Sequence, residues 1–121
     1  MSNLKEIGKK GEKAAELFLR KRGYKIIERN FRTPFGELDL IVRDDNVLVF
    51  VEVKTRSSEK FGLPEDAITY KKRLHIVRSA FFYLKKYGLM DCLYRFDIIT
   101  VMPSGIRHYK NAFSGEEFLS F

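Results

Sequence analysis

Acids and a lysine stand inside what otherwise reads as an apolar β-hairpin, and that placement constrains this chain more than any other feature. Residues 36–42 and 47–54 are rich in β-branched and other apolar side chains, and Asp44, Asp45 and Asn46 between them are turn formers. The two segments therefore predict an antiparallel hairpin. Side chains along a strand alternate between faces, so Val47, Val49, Val51 and Val53 share one face and Leu48, Phe50, Glu52 and Lys54 the other. Glu52 and Lys54 then point the same way, roughly 7 Å apart by strand rise. In the first strand Glu37, Asp39 and Ile41 oppose Leu38, Leu40 and Val42. A two-residue turn at Asp45 and Asn46 sets Asp39 opposite Glu52 and Glu37 opposite Lys54, whereas a three-residue turn over 44–46 puts the acids on opposite faces. The two-residue register is the expected one, because it also gathers Leu38, Leu40 and Val42 with the four valines onto one apolar face.

Two carboxylates facing each other within about 5 Å repel unless a cation or a shared proton intervenes. Oxygen donors of this kind suit a hard ion, Mg²⁺ or Mn²⁺, which keeps several waters and is commonly completed by substrate phosphate. Zinc is poorly supported, since Cys92, His75 and His108 do not fall at zinc-ligand spacing. Lys54, one pleat from Glu52, adds a point charge that can orient a water or offset charge developing on a phosphate. The bland alternative is an acid and lysine network on a wet sheet face. Phe50 and Ile41 argue against it, because a solvated face does not normally flank its charges with large apolar residues.

An acid in one strand followed by Glu-x-Lys at the end of the next resembles the PD-(D/E)xK motif of restriction-endonuclease-like nucleases. The likeness extends to Gly8-x-x-Gly11-Glu12-x-x-Ala15, to residues 36–41, to Val51-Glu52-Val53-Lys54-Thr55-Arg56 and to Arg95-Phe96-Asp97, which together resemble the YraN-type family of small bacterial proteins. That family is similar in fold to archaeal Holliday-junction resolvases. Leu38 stands where the motif name has proline, so Asp39 matches by role alone. The resemblance implies a restriction-endonuclease-like α/β core over 1–121, with Asp39 and Glu52 as metal ligands, Lys54 as the water-orienting lysine and Glu12 as a helical acid supporting the metal. It also implies a Val53 backbone carbonyl facing the metal.

Elsewhere the chain reads as one small domain. Its 121 residues are 45% hydrophobic, enough for one core. No run of about 18 apolar residues can span a membrane and no signal-peptide order opens the chain, so a cytoplasmic location is expected. The single cysteine, Cys92, cannot form an internal disulfide and reads as an apolar filler. A net charge of +7 favours a polyanionic partner.

Residues 3–22 predict a helix with Leu4, Ile7, Gly11, Ala14, Ala15 and Phe18 as its apolar stripe and Glu12 at the stripe's edge. Gly8 and Gly11 cost helix propensity, about 1 kcal/mol each, which close approach to a neighbouring backbone would offset. Residues 24–31 predict a first strand. Residues 56–62 lack periodicity and read as a loop beside the site, where Arg56 and Lys60 suit phosphate contacts. Pro64 opens a second helix, Glu65 and Asp66 favour its start, and Gly88 ends it. Ala67, Tyr70, Leu74, Val77, Phe81 and Leu84 mark its packed face. A basic stripe of Lys71, His75, Arg78 and Lys85, with Lys72, Arg73 and Lys86 beside it, suits a phosphate backbone. Residues 93–102 and 106–110 predict two further strands about a turn at Pro103-Ser104-Gly105, the fourth strand parallel to the third across the helical crossover. Asp97, in the fourth strand, has no spacing that brings it to Glu52 and is expected to pair with a helix-borne cation or a backbone amide.

The order α-β-β-β-α-β-β gives a mixed sheet flanked by helices. The expected function is metal-dependent hydrolysis of nucleic acid phosphodiesters, with DNA the favoured substrate and branched DNA implied by the resolvase resemblance. A non-catalytic nucleic-acid-binding module of the same fold is the first alternative, and a partner-binding protein with an acid and lysine network the second. A resolvase-like role needs two active sites and hence a homodimer, for which Phe61, Phe82, Phe113, Phe118 and Phe121 are the residues left over to line an interface.

Overall fold

The computed structural model describes residues 4–56 and 68–118. Helix α1 (Leu4–Lys21) is followed by β1 (Lys25–Thr33), β2 (Gly36–Asp44) and β3 (Val47–Thr55), then by α2 (Tyr70–Lys86), β4 (Leu93–Met102) and β5 (Gly105–Phe113). The strands form one five-stranded sheet in sequence order, antiparallel throughout except for the parallel pair β3 and β4. A parallel neighbour cannot be reached by a tight turn. The chain crosses over between β3 and β4 instead, and α2 lies on that crossover. This is the α/β element order the sequence predicts.

Each face of the sheet buries a separate core. Ala15 and Leu19 of α1 pack with Tyr24, Leu40, Val42, Val49, Val51 and Ile99. On the opposite face Ile76, Val77, Ala80, Tyr83 and Leu84 of α2 pack with Leu38, Ile41, Phe50, Phe96 and Ile98. A sheet covered on both faces needs apolar residues at successive positions of its central strands, which is why β3 reads as a nearly continuous apolar run.

Several expectations are corrected. Ile7 is exposed and Leu19 takes the buried place, so the inward stripe of α1 runs through Gly11, Ala15 and Leu19. At Gly11 an added Cβ would run into the Thr55 hydroxyl, whereas at Gly8 it would meet open space. The close approach is thus to the Thr55 side chain, and only Gly11 makes it. The start expected for the second helix at Pro64 lies outside the described residues, as do Lys60, Phe61, Glu65, Asp66, Ala67 and Phe121. The described helix begins at Tyr70 because Thr69, in extended conformation, caps it: its side chain accepts the Lys72 amide at 3.1 Å. Tyr70 is exposed rather than packed, whereas Val77 and Leu84 are buried as expected, and Ile76, Ala80 and Tyr83 join them on the packed face. Phe113 stacks on Phe96 and Phe118 lies against Tyr70, so neither is spare for an interface. No helix among the described residues is long and apolar enough to cross a membrane.

Candidate active site at the fork between β2 and β3

Strands β2 and β3 pair from Asp44 opposite Val47 to Leu40 opposite Val51. That is the register of the two-residue turn, with Asp45 in the left-handed conformation such turns need. One step further the same register brings Asp39 to Glu52, and there the ladder gives way. The Val53 amide donates to the Asp39 carboxyl at 2.9 Å. On the other side of β2, Arg29 pairs with Leu40 and Phe31 with Leu38, while Asn30 between them is left-handed at φ 48°. Asparagine tolerates that conformation better than most residues. The interruption also breaks the alternation of faces. Leu38 joins Ile41 in the α2 core instead of joining Leu40 and Val42 on the α1 side, correcting the single apolar face expected for it.

The fork gathers three acids. Glu52 is 4% exposed, and it is the neighbour of Asp39 across the fork, close enough to raise the Asp39 carboxyl. Burial, followed by the hydrogen bond and charge of Glu52, pushes Asp39 up to about 8, against the opposing pull of the Val53 amide and Lys72. Glu12 reaches Asp39 from α1, and it too is raised, first by burial and then by the charges of Asp39 and Glu37, with the Asn30 hydrogen bond opposing. Asn30 Nδ2 donates to Glu12 at 2.9 Å and to Glu37 at 3.0 Å, bridging the two acids. Glu16, one helical turn beyond Glu12, differs in kind. Arg29 grips it through two bonds of 2.5 and 2.9 Å and Arg20 adds a third at 3.1 Å, holding it below the usual carboxylate range. No arginine among the described residues grips Asp39 or Glu52 in this way.

Of the residues singled out by sequence, Asp39, Glu52 and Glu12 come together. Lys54 sits half-buried on β3 opposite Thr100, whose buried hydroxyl has no hydrogen-bond partner among the described residues. Glu37 turns to Asn30 and to Arg32, 3.5 Å away, rather than to Lys54. At Val53 the group engaged with the site is the amide. Lys71 and Arg78 are exposed on α2 as expected, whereas Lys72 turns inward, its Nζ 3.5 Å from Glu52 Oε2. Arg56 follows the last residue of β3 and is half-buried, its amide donating to the Val101 carbonyl at 2.8 Å. Asp97 does pair with a backbone amide, that of Asn111, but its cationic partner, Arg95, comes from its own strand and not from a helix.

Three features escaped sequence reasoning. Asn30 carries no pattern in a strand of mixed polarity, and its left-handed backbone is not encoded by any local motif. Two adjoining clefts, of about 350 and 450 Å³, open between α1 and the β1–β2 pair, sharing Lys9, Glu12 and Asn30. The first reaches Asp39 and is also lined by Lys13, so cations of α1, not only those of α2, flank the acids.

Among the described residues, no three His, Cys, Asp or Glu side chains already form a cage for a metal. The donors at hand are the Asp39 and Glu52 pair, with Glu12 touching Asp39. Hard oxygen donors in a facing pair fit Mg²⁺ or Mn²⁺, which takes one or two carboxylates and completes its shell with water and phosphate.

The model of the uncharacterised protein family UPF0102 matches residues 11–101. A UPF0102 protein of Caldicellulosiruptor saccharolyticus is 44% identical over 117 residues, covering 92% of this chain and 99% of its own. One from Thermodesulfovibrio yellowstonii is 46% identical over 112 residues, covering 89% and 96%. The solved structure of SSO0001 aligns with a TM-score of 0.40 at 20% identity, over 81% of this chain and 48% of its own, a likeness too slight to carry an argument.

Proposed function

We propose, for a chain that belongs to the uncharacterised protein family UPF0102, the YraN family, that it is a nucleic-acid-binding protein that hydrolyses DNA phosphodiester bonds with a divalent metal. One observation carries this reading: Asp39 and Glu52 are held carboxyl to carboxyl where the strand ladder opens. Two acids brought together away from water are costly unless a proton or a cation lies between them, and this supports a role in binding a cation.

Asp39 and Glu52 hold the metal, and Glu12 orients Asp39 from α1. When bound, Mg²⁺ or Mn²⁺ supplies a Lewis acid that activates water and offsets charge on the phosphate. The Val53 amide fixes the Asp39 carboxyl and Asn30 fixes that of Glu12, so neither acid has to be ordered during the reaction. Lys54, two residues along β3 from Glu52, serves as a point charge for the attacking water or the phosphate. Lys9 and Lys13 along the cleft, with Lys71 and Arg78 on α2, hold the backbone of the nucleic acid.

The test is cleavage of labelled linear, single-stranded, flapped and four-way-junction DNA with Mn²⁺, comparing the native chain with Glu52→Gln and Lys54→Ala. Loss of cleavage in both, with binding retained, supports the reading. The Lys72 ion pair, which already gives Glu52 a cation, favours a second reading, a non-catalytic binding module. Salt-sensitive binding without cleavage by the native chain, unchanged by both substitutions, selects that module.

A further inference from the structure

Glu52 is nearly sealed from solvent, and a buried carboxylate without a counter-charge is strongly unfavourable. Its neighbour across the fork is another acid, Asp39. Among the described residues, Lys72 is the one cation in ion-pair distance of either, 3.5 Å from Glu52 Oε2. Lys72 is also placed with some precision. It stands in the first turn of α2, and the Thr69 side chain fixes its backbone amide at 3.1 Å. Its side chain is nevertheless 41% exposed, so the ammonium reaches the pair from the solvent edge on a flexible stem.

From this placement we infer that Lys72 is a built-in counter-cation of the carboxylate pair, competing with the divalent metal for Glu52 and released towards the nucleic acid phosphate when the metal binds. The inference rests on the metal-site reading above and assigns Lys72 a place within it. The charges decide the direction of exchange. A divalent ion brings two positive charges to the site where the ammonium brings one, and once bound it repels the ammonium. Lys72 has somewhere to go, because its head already lies at the solvent edge. Lysine also suits a partner that must leave. The arginine fork grips a carboxylate through two bonds and is released less readily. Lys72 is on this account a positioning residue in the metal-free protein and a phosphate contact in the loaded one. The first role separates it from Lys71 and Arg78, which face solvent on the same helix.

The test is calorimetric titration of the full chain with Mn²⁺ in the absence of DNA, so that no catalytic readout enters. Native protein is compared with Lys72→Met, Lys72→Arg and, as the control that locates the site, Glu52→Gln. Removing the competing charge should tighten Mn²⁺ binding about tenfold in Lys72→Met, a change of ~1.4 kcal/mol. The firmer grip of arginine should weaken it in Lys72→Arg. A merely structural lysine would lower thermal stability in Lys72→Met yet leave the affinity where it was, and that result overturns the inference while the metal site stands. Weaker binding in Lys72→Met overturns it as well, because Lys72 would then be preparing the carboxylates for the metal. Absence of Mn²⁺ binding in the native chain overturns both this inference and the metal reading. If Lys72→Met does not fold, Lys72→Arg decides alone: unchanged or tighter binding sinks the competition.

Discussion

Asp97 on β4 and Asp39 on β2 flank the same strand, β3, and each is an aspartate largely withdrawn from water. Asp97 is fully buried and accepts from Arg95 Nε at 3.0 Å, Arg95 Nη2 at 3.2 Å and the Asn111 amide at 2.9 Å, with His108 Nε2 at 2.7 Å. Burial alone would raise it, but the bonds from His108, Arg95 and Asn111 outweigh burial and hold it below the usual carboxylate range. Arg95 extends the network to Asp44 and to the Tyr24 hydroxyl. Asp39 has one amide donor and a second carboxyl pressed against it. Burial of an acid therefore does not mark a functional site here. The difference lies in the partners: Asp97 is surrounded by a guanidinium, an imidazole and an amide, whereas Asp39 faces a second carboxyl.

The contrast breaks most sharply under isosteric substitution. Asp39→Asn should reduce Mn²⁺-dependent cleavage by on the order of 10³-fold, read in single-turnover assays, while leaving the metal-free protein as stable as the native one or more so. Asp97→Asn should do the reverse. Removing one partner from a buried ionic network costs ~3 kcal/mol, visible as a lower urea midpoint, with Mn²⁺ affinity retained in the protein that remains folded. A stable Asp97→Asn that lost its metal would erase the distinction between the two sites.

Acid and base titration sharpens it further. Asp39 is raised in the folded chain, so between about 4 and about 8 the native state keeps a proton that the unfolded state has lost. Metal-free stability should therefore fall as pH rises through that window, by at most ~1.4 kcal/mol per unit from this group, and the slope should shrink in Asp39→Asn to the part that Glu12 contributes when thermal unfolding is followed in chelator. Asp97 has the opposite sign. Its folded value is depressed, so its stabilisation is present above the ordinary aspartate value and is lost as pH falls through the folded one. The smallest effect belongs to the bridge: Asn30→Ala should weaken Mn²⁺ binding about tenfold, measured by calorimetry, because Glu12 loses the donor that orients it.

The hairpin was legible because its information is local. Alternation, turn formers and the need to bury valines select one register, and with it the meeting of Asp39 and Glu52. Leu38 was not legible, because the rule of alternation holds only while the ladder continues, and the ladder is interrupted by a side-chain bond between Asp39 and the Val53 amide. The packed face of α2 was read correctly at Val77, Phe81 and Leu84 and wrongly at its start. Apolar spacing placed Tyr70 inside, but the Thr69 cap starts the helix later, and its packed face turns through Ile76 and Val77. Lys72 followed that turn inward, where a charge count along the sequence left it among the phosphate-binding cations. Glu12 was legible as a stripe-edge residue, and its tie to Asn30 was not, since 18 positions separate the two.

Gly11 shows how finely the helical acid is set. At the residue immediately before Glu12, α1 lies so close to the end of β3 that there is no room for a further atom against Thr55. Glu12 is thus carried on a bearing surface of zero clearance: a methyl group inserted at Gly11 acts as a shim, and either the Thr55 hydroxyl rotates away or the helix lifts and takes its carboxylate with it. A single glycine, far too small to touch a ligand, sets the tolerance to which the acid is aimed.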